Sequence, residues 1–419
     1  MPRIVFINRF AYPDHSATSQ VLWELSRRLA RAGHEVAIIT SRQRYEDPGA
    51  ALAAFERAQA VEISRVWSTR FGRGVLAGRA LDYLTFFLGA TGAVLRTVAD
   101  GDIVVVMTDP PMLSAFAGPF ARMRGARVVN WLQDVFPEIA VELGVRGFRG
   151  IAGRVARAVR NRSLIHAQMN VVIGERMATH LESQGVPASR IAVIHNWADG
   201  ESLTPIDRSR NDLRKAWLPG EKFVVGYSGN FGRAHEFATL LGCAERFRDD
   251  AGIVFLFVGG GQQHEAMKDS IERRGLGHLF VFKPYQPHQQ LSATLGIPDV
   301  HWVSLRPELE GLIVPSKVYG ILAAGRPVLM VGDPDGEIGR LVREAGCGVV
   351  VRVGDAEAFH RAILALRDDP VERARLGERA RALFERRFTP MQAIHAWEAV
   401  LTICSANEAR TASSKGSEG

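Results

Sequence analysis

At 419 residues the chain exceeds what one ordinary hydrophobic core organises and suits two domains of roughly 200 residues each. Its 47% hydrophobic content with mixed charge is globular, and three cysteines at unrelated spacings (Cys243, Cys347, Cys404) exclude a disulfide framework and a cysteine metal cluster, so a reducing cytoplasm is expected. The positive charge is one-sided: the first 200 residues hold 24 arginines, no lysine and 17 acids, an excess of seven, whereas the remainder holds 28 basic and 28 acidic residues.

In chain order, "RIVFIN" predicts a strand at once, with no basic start or apolar core of a signal peptide before it. "SQVLWELSRRLARAGH" has helical apolar spacing and ends at a C-cap glycine, Gly33. Strand "EVAIIT" follows. The most apolar stretch, "LTFFLGATGAVL" from Leu84 to Leu95, lies between Asp82 and Arg96, and is too short for the roughly 20 residues that span a bilayer.

"DIVVVM" and "RVVNWL" predict further strands, and "RGFRGIAGRVARAVRNR" a basic helix. Its arginines, Arg146, Arg149, Arg154, Arg157, Arg160 and Arg162, recur mostly at spacings of three and are interleaved with Ile151, Val155 and Val159. Such a helix can lie on an anionic bilayer, each basic residue near the surface contributing about 1 kcal/mol, or it can present an ordinary solvated face. It lacks the aromatics and motifs of a nucleic-acid binder, so no nucleic-acid partner is expected. "MNVVIG" and "IAVIHN" complete a domain over residues 1–196.

Residues 197–220 are polar, contain two prolines and read as a linker. The alternation restarts in a domain over 221–388 with "FVVGYSG", "IVFLFVGGG", "LFVFKP", "VHWVSL", "PVLMVG" and "CGVVVRV". The expected fold class is α/β, with two doubly wound, Rossmann-like domains facing a central cleft, since ligands of such sheets bind beyond the carboxyl ends of the strands. Residues 389–404 predict a last helix capped by Thr389 with Pro390 at its first position, and residues 405–419 a disordered tail.

Two strand-to-helix turns carry the chemistry. In "GYSGNFGRAHEFATLL" a strand ends at Ser228 and passes Gly229 and Gly232 into a helix. Glycine lets backbone approach a ligand closely, a helix start offers amides to an anion, and Arg233 adds a formal charge; the same pattern also fits a plain turn. In "RPELEGLIVPSKVYGILAAGRPVLMVG", Glu308 and Glu310 precede Gly311, and Ser316 and Lys317 sit near a helix start. Lys317 suits a phosphate. Glu310 can accept from a sugar hydroxyl, orient Lys317 or make a surface salt bridge, while Glu308, beside Pro307, reads as solvated. No metal site is written in the chain.

These turns, together with "FAYPDHSATSQVLWELSRRLARAGHEVAIITS" and "GVPASRIAVIHNWAD", resemble the retaining nucleotide-sugar glycosyltransferases of family 4, which have the GT-B fold. The resemblance is closest to the branch that makes bacterial surface polysaccharides, with N-acetylfucosamine and colanic-acid transferases, and runs from about residue 3 to residue 402. It implies a donor-sugar site, with Asn230 and His235 at the positions where many members carry an arginine and a lysine on the diphosphate. Arg233 and Lys317 then become the expected cations. Gly260 and Tyr285 fall in segments that border the base in the family, although Tyr285 also suits simple packing.

The family's pair of glutamates falls on Leu312 and Gly320 here, so Glu310 fills the first role only with a longer loop, and the ribose contact is left unassigned. Gly311, Leu312, Ile313 and Ser316 belong to this donor loop. In the first domain the resemblance directs attention to "SATSQ", with Thr18 and Ser19 as acceptor or phosphate ligands, and to "QDVFPE", where Asp134 can orient the acceptor hydroxyl, take its proton or cap a helix. The final helices, from about Val371, are expected to pack toward the N-terminal domain.

The implied reaction moves a sugar, with UDP the first choice of donor nucleotide, onto a hydroxyl of a lipid-linked saccharide with retention and without metal or cofactor. It would serve exopolysaccharide, capsule or O-antigen synthesis on the inner face of the cytoplasmic membrane. Two rivals share the pattern: a GT-B sugar-nucleotide epimerase, and a nonenzymatic nucleotide-sugar binding subunit, the latter suggested by Gly320.

Overall fold

Continuous apolar runs such as Ile4–Ile7, buried at every position, demand cover on both faces, and parallel sheets flanked by helices supply it. In the computed structural model, which describes residues 2–14, 16–45, 47, 49–72, 76–145, 147–218 and 220–415, two compact units result. One runs to His195 and takes up the chain again from Ala393; the other spans Asn196–Gln392.

The first unit is built on strands β1 (Ile4–Ile7), β2 (Val36–Ser41), β3 (Phe55–Ala58), β4 (Val61–Val66), β5 (Ile103–Met107), β6 (Arg127–Leu132), β7 (Met169–Val172) and β8 (Ile191–Val193). They lie in the order β3-β4-β2-β1-β5-β6-β7-β8, parallel except for the β3–β4 hairpin. The six strands predicted from apolar runs are all present. The hairpin adds two that the pattern did not announce, because "FERA" is a charged, largely exposed edge and "VEISRV" alternates.

The helices of this unit are α1 (Ala17–Arg31), α2 (Leu76–Thr97), α3 (Leu113–Met123), α4 (Glu138–Glu142), α5 (Ile151–His166) and α6 (Glu175–Ser183). Helix α1 stops as predicted: Gly33 takes a positive φ of 93°, and the His34 amide reaches back to the Leu29 carbonyl at 3.1 Å. On one sheet face Phe86, Phe87 and Ala90 of α2 and Leu113, Ala117 and Ala121 of α3 pack on Val5, Ile7, Val104 and Val106.

The second unit carries β9 (Phe223–Asn230), β10 (Ile253–Gly260), β11 (Phe280–Lys283), β12 (Val300–Ser304), β13 (Val328–Val331) and β14 (Gly348–Val351), all parallel, in the order β11-β10-β9-β12-β13-β14. Its helices are α7 (Asp212–Trp217), α8 (Ala238–Glu245), α9 (His264–Arg273), α10 (Leu291–Leu295), α11 (Lys317–Ala323), α12 (Glu337–Ala345), α13 (Ala356–Asp368) and α14 (Pro370–Arg387). Aromatic side chains dominate its core, with Tyr227, Phe255, Phe257, Trp302 and Phe359 fully enclosed.

Three expectations are corrected. The supposed linker is integral to the second unit: Asn211 caps α7, and buried Arg214 pairs with Asp299 at 3.0 Å. Helix α14 packs on α11 inside the second unit, so the return to the first unit begins only in α15 (Pro390–Lys415). That helix also runs past Cys404 into the segment expected to be disordered, where alanines favour helix. Its start is as predicted, with the Gln392 amide donating to Thr389 Oγ1 at 3.4 Å.

Trp397 of α15 is fully buried, 4.8 Å from Trp131 and 6.5 Å from Phe6 between ring centroids. Trp397→Ala is expected to cost the first unit about 3–5 kcal/mol, while Ile403→Ala on the exposed side stays within about 0.5 kcal/mol; urea unfolding of both variants checks the contrast.

Candidate functional site

The ends of β9 and β10 are glycine-rich for a steric reason. Gly229 has φ 129°, and a Cβ there would lie 2.5 Å from Lys317 Cε. Gly259 has φ 127°, and its Cβ would strike the Gly229 carbonyl. Two strand ends thus approach closely, and the Lys317 stem lies across the first of them.

Lys317 begins α11, and its ammonium comes to rest over the Tyr227 ring, 5.0 Å from the centroid. Its Nζ lies 3.0 Å from His235 Nε2. The other imidazole nitrogen, Nδ1, is 2.8 Å from the Ser304 carbonyl, which can only accept, so Nδ1 carries the proton and Nε2 accepts from the lysine. Burial, then the neighbouring lysine, push the His235 pKa down to about 3, which keeps the ring neutral. Burial lowers Lys317 to about 8. Among the described residues no carboxylate lies within ion-pairing distance of Lys317.

The turn from β9 to α8 is tied down at several points. Gln263 donates to the Gly232 carbonyl at 2.9 Å, the Arg306 amide to the Ala234 carbonyl at 3.0 Å, and the Glu236 amide to Ser304 Oγ at 3.1 Å. Asn230 and Arg233 are exposed on this turn. Tyr285, 56% exposed, stands beside Gly259 and Gly260 and donates to the Gly260 carbonyl at 3.3 Å, so it lies at the surface rather than in the core.

Other predicted ligands are placed differently. Glu310 does not approach Lys317: its Oε2 accepts from the Glu337 amide at 3.0 Å, against Gly336, so it caps α12. Leu312 is buried with its amide bonded to the Leu309 carbonyl, and Ile313 is half-buried with its amide turned to the same carbonyl. Gly311 provides the positive φ of 76° that this turn requires. Ser316 is exposed at the start of α11 without a side-chain cap, and the Val318 and Tyr319 amides already bond to Pro315 and Ser316, so the amides of this short helix are largely spent. Gly320 faces the Leu295 side chain, which a Cβ at this position would meet at 3.3 Å.

In the first unit, Thr108 and Asp109 follow β5 and Asp134 follows β6, all at the carboxyl edge of the sheet. Burial, then the Asp109 charge, raise Asp134 to about 7 against the opposing hydrogen bond from Thr108. A carboxyl so poised can exchange a proton near neutrality. Thr18 is half-buried, whereas Ser19 is fully buried and its hydroxyl donates to the Asp14 carbonyl at 3.0 Å, which removes it as a ligand. The basic helix is corrected too: Arg160 is buried and pairs with Glu138 at 2.6 Å, Arg157 pairs with the same carboxylate at 3.0 Å, and Arg146 lies outside the described residues. Arg149, Arg154 and Arg162 are exposed.

Sequence reasoning missed the link between His235 and Lys317, which no spacing announces because 82 positions separate them. Gly229→Ala tests the arrangement. The added methyl and the disfavoured φ are expected to cost about 1–3 kcal/mol and to displace the lysine, read as a lower melting temperature.

Comparison with known proteins follows the same division. Residues 16–197 match the family described as "Glycosyl transferase 4-like domain" and residues 209–383 the family "Glycosyl transferases group 1". The chain is 27% identical over 368 residues, 83% of its length and 88% of the relative's, to the Escherichia coli (strain K12) protein named "Putative colanic acid biosynthesis glycosyl transferase WcaI". It is 29% identical over 269 residues, 63% of its length and 65% of the relative's, to the probable glycosyltransferase WbjE of Pseudomonas aeruginosa. Among solved structures, Anabaena HepE in complex with UDP-glucose has a similar fold, with a TM-score of 0.71 at 15% identity over 96% of this chain and 99% of that one.

Proposed function

The chain belongs to the GT-B glycosyltransferases, and from that membership we propose that it moves a sugar from a nucleoside diphosphate onto a hydroxyl of a lipid-linked saccharide, with retention, in the building of a bacterial surface polysaccharide. One observation carries the reading: Lys317 holds a cation at the carboxyl end of a doubly wound sheet with a ring and a neutral imidazole around it and no carboxylate partner among the described residues. Its charge is therefore available to an anionic ligand.

In this reading the donor diphosphate meets Lys317 and Arg233, which stabilise the charge that grows as the bond from the anomeric carbon to the diphosphate breaks. Tyr285 offers a ring face to the base, and the backbone at Gly229, Asn230, Gly232 and Gly260 lines the approach. The acceptor oxygen bonds to the anomeric carbon on the face the diphosphate leaves. Its proton passes to the departing diphosphate. In this reading the charges of Lys317 and Arg233 serve where a metal would otherwise neutralise the diphosphate. UDP is the nucleotide of choice, with HepE, whose structure contains UDP-glucose, as the supporting parallel. The acceptor places the work at a membrane surface, reached from the cytoplasmic side; no helix is long and apolar enough to cross a membrane among the described residues.

Thermal stabilisation across UDP-, GDP-, ADP- and dTDP-sugars tests the donor, with the largest shift expected for UDP-sugars. Lys317→Ala is expected to weaken nucleotide binding roughly 10- to 100-fold, the loss of one charge-assisted hydrogen bond; undiminished binding would refute the phosphate assignment. The Asp134 carboxyl is expected to titrate near 7, and Asp134→Asn to remove that titration from the carboxyl region of the NMR spectrum. Release of UDP only when a saccharide acceptor is present separates transfer from epimerisation.

A further inference from the structure

Three neighbouring helices of the first unit carry apolar stripes outward. On α2, Leu81, Leu84, Leu88 and Leu95 recur at the spacing of one helix face and are all exposed, Leu88 by 66%. Helix α3, packed against α2, exposes Phe116 and, by 75%, Met123. Helix α5, packed against α3 and joined to it by the Ser114–Ser163 hydroxyl pair at 2.9 Å, exposes Ile151, Val155 and Val159 while it buries Arg160. A helix facing water has the opposite polarity. Apolar patches beyond a few hundred Å² are uncommon on monomers and mark a surface that something covers.

Charge identifies what covers it. The sequences of α2, α3 and α5 contain one acid, Asp82, and it is fully buried. Arg96, Arg154 and Arg162 are exposed on the same helices, and half-buried Arg122 has an Nη1 without a hydrogen-bond partner. Among the described residues none of these four has a carboxylate partner. Burial, then repulsion from Arg162, lower the Arg122 pKa, so two like charges on α3 and α5 oppose each other where an anion would relieve both. An acidic protein would satisfy the arginines and leave the leucines in water. A bilayer with anionic headgroups supplies acyl chains and phosphates together.

We propose that the α2–α3–α5 face is a membrane-docking surface: Leu88, Phe116, Met123, Ile151 and Val155 enter the acyl boundary of an anionic bilayer while Arg122 and Arg162 take lipid phosphates. The inference rests on the reading of the acceptor as lipid-linked and gives that reading its physical means, insertion of side chains rather than a basic helix resting on headgroups. Arg157 and Arg160, spent on Glu138, take no part.

Flotation of the full chain with vesicles of about one part phosphatidylglycerol to three parts phosphatidylethanolamine, against phosphatidylcholine alone, tests it. The protein is expected to float with the anionic vesicles. Leu88→Gln, Phe116→Gln and Val155→Gln combined should lower vesicle affinity at least about tenfold, and Arg122→Gln with Arg162→Gln should erase the preference for phosphatidylglycerol, both at unchanged melting temperature and nucleotide response. Failure to float at low salt, or binding that survives the triple substitution, would overturn the proposal. So would self-association that the triple substitution abolishes, since the face would then belong to a second copy. A protein that floats yet neither binds nucleotide sugars nor transfers sugar leaves the docking face standing and refutes the transferase reading instead.

Discussion

An ammonium group held half-buried without a carboxylate is the constraint on which the second unit's site depends. Withdrawing a cation from water is costly unless something replaces its hydration. Here the replacement is a tyrosine face and the lone pair of an imidazole, neither of which cancels the charge. The rest follows from keeping that geometry. Gly229 must lack a side chain so that the lysine stem can cross the strand end, Gly259 must lack one so that β10 can close on β9, and the Ser304 carbonyl must fix the His235 tautomer so that Nε2 faces the lysine. A carboxylate in place of His235 would hold Lys317 as well but would leave no charge for a ligand.

The first unit prepares different chemistry by similar means. Asp134 sits near a second carboxylate, Asp109, at a sheet edge where burial already disfavours charge, so its proton is held near neutrality rather than lost. On the sheet face covered by α2 and α3, the core is satisfied by Phe86, Phe87, Ala117 and their neighbours, and the outward stripe of α2 is redundant for folding. Residues that folding does not require to be apolar, yet are, belong to an interaction.

Strands of the doubly wound sheets were legible because each is a run of consecutive apolar residues, from "RIVFIN" to "CGVVVRV", and the helix ends at Gly33 and Thr389 because capping is local chemistry. The β3–β4 hairpin escaped notice because an exposed edge needs no apolar run. Lys317 and Gly229 could be singled out from their turns, but that one lies across the other is a matter of tertiary approach. Glu310 illustrates the opposite failure: a carboxylate beside a glycine-rich turn suggests a ligand, and the residue it serves is the amide of Glu337, a helix start 27 positions away. In α5 the arginine spacing was visible, and the polarity of the helix was inverted by Glu138, whose carboxylate draws Arg160 inward.

The most direct test of the account is the titration of the Lys317 amine by NMR after isotopic methylation, feasible because the chain holds six lysines and Lys317→Arg identifies the resonance. The account predicts a pKa near 8 in the free protein that rises when UDP is added and does not move with uridine, which lacks the phosphates. A value at the ordinary 10.5, unmoved by UDP, would contradict it.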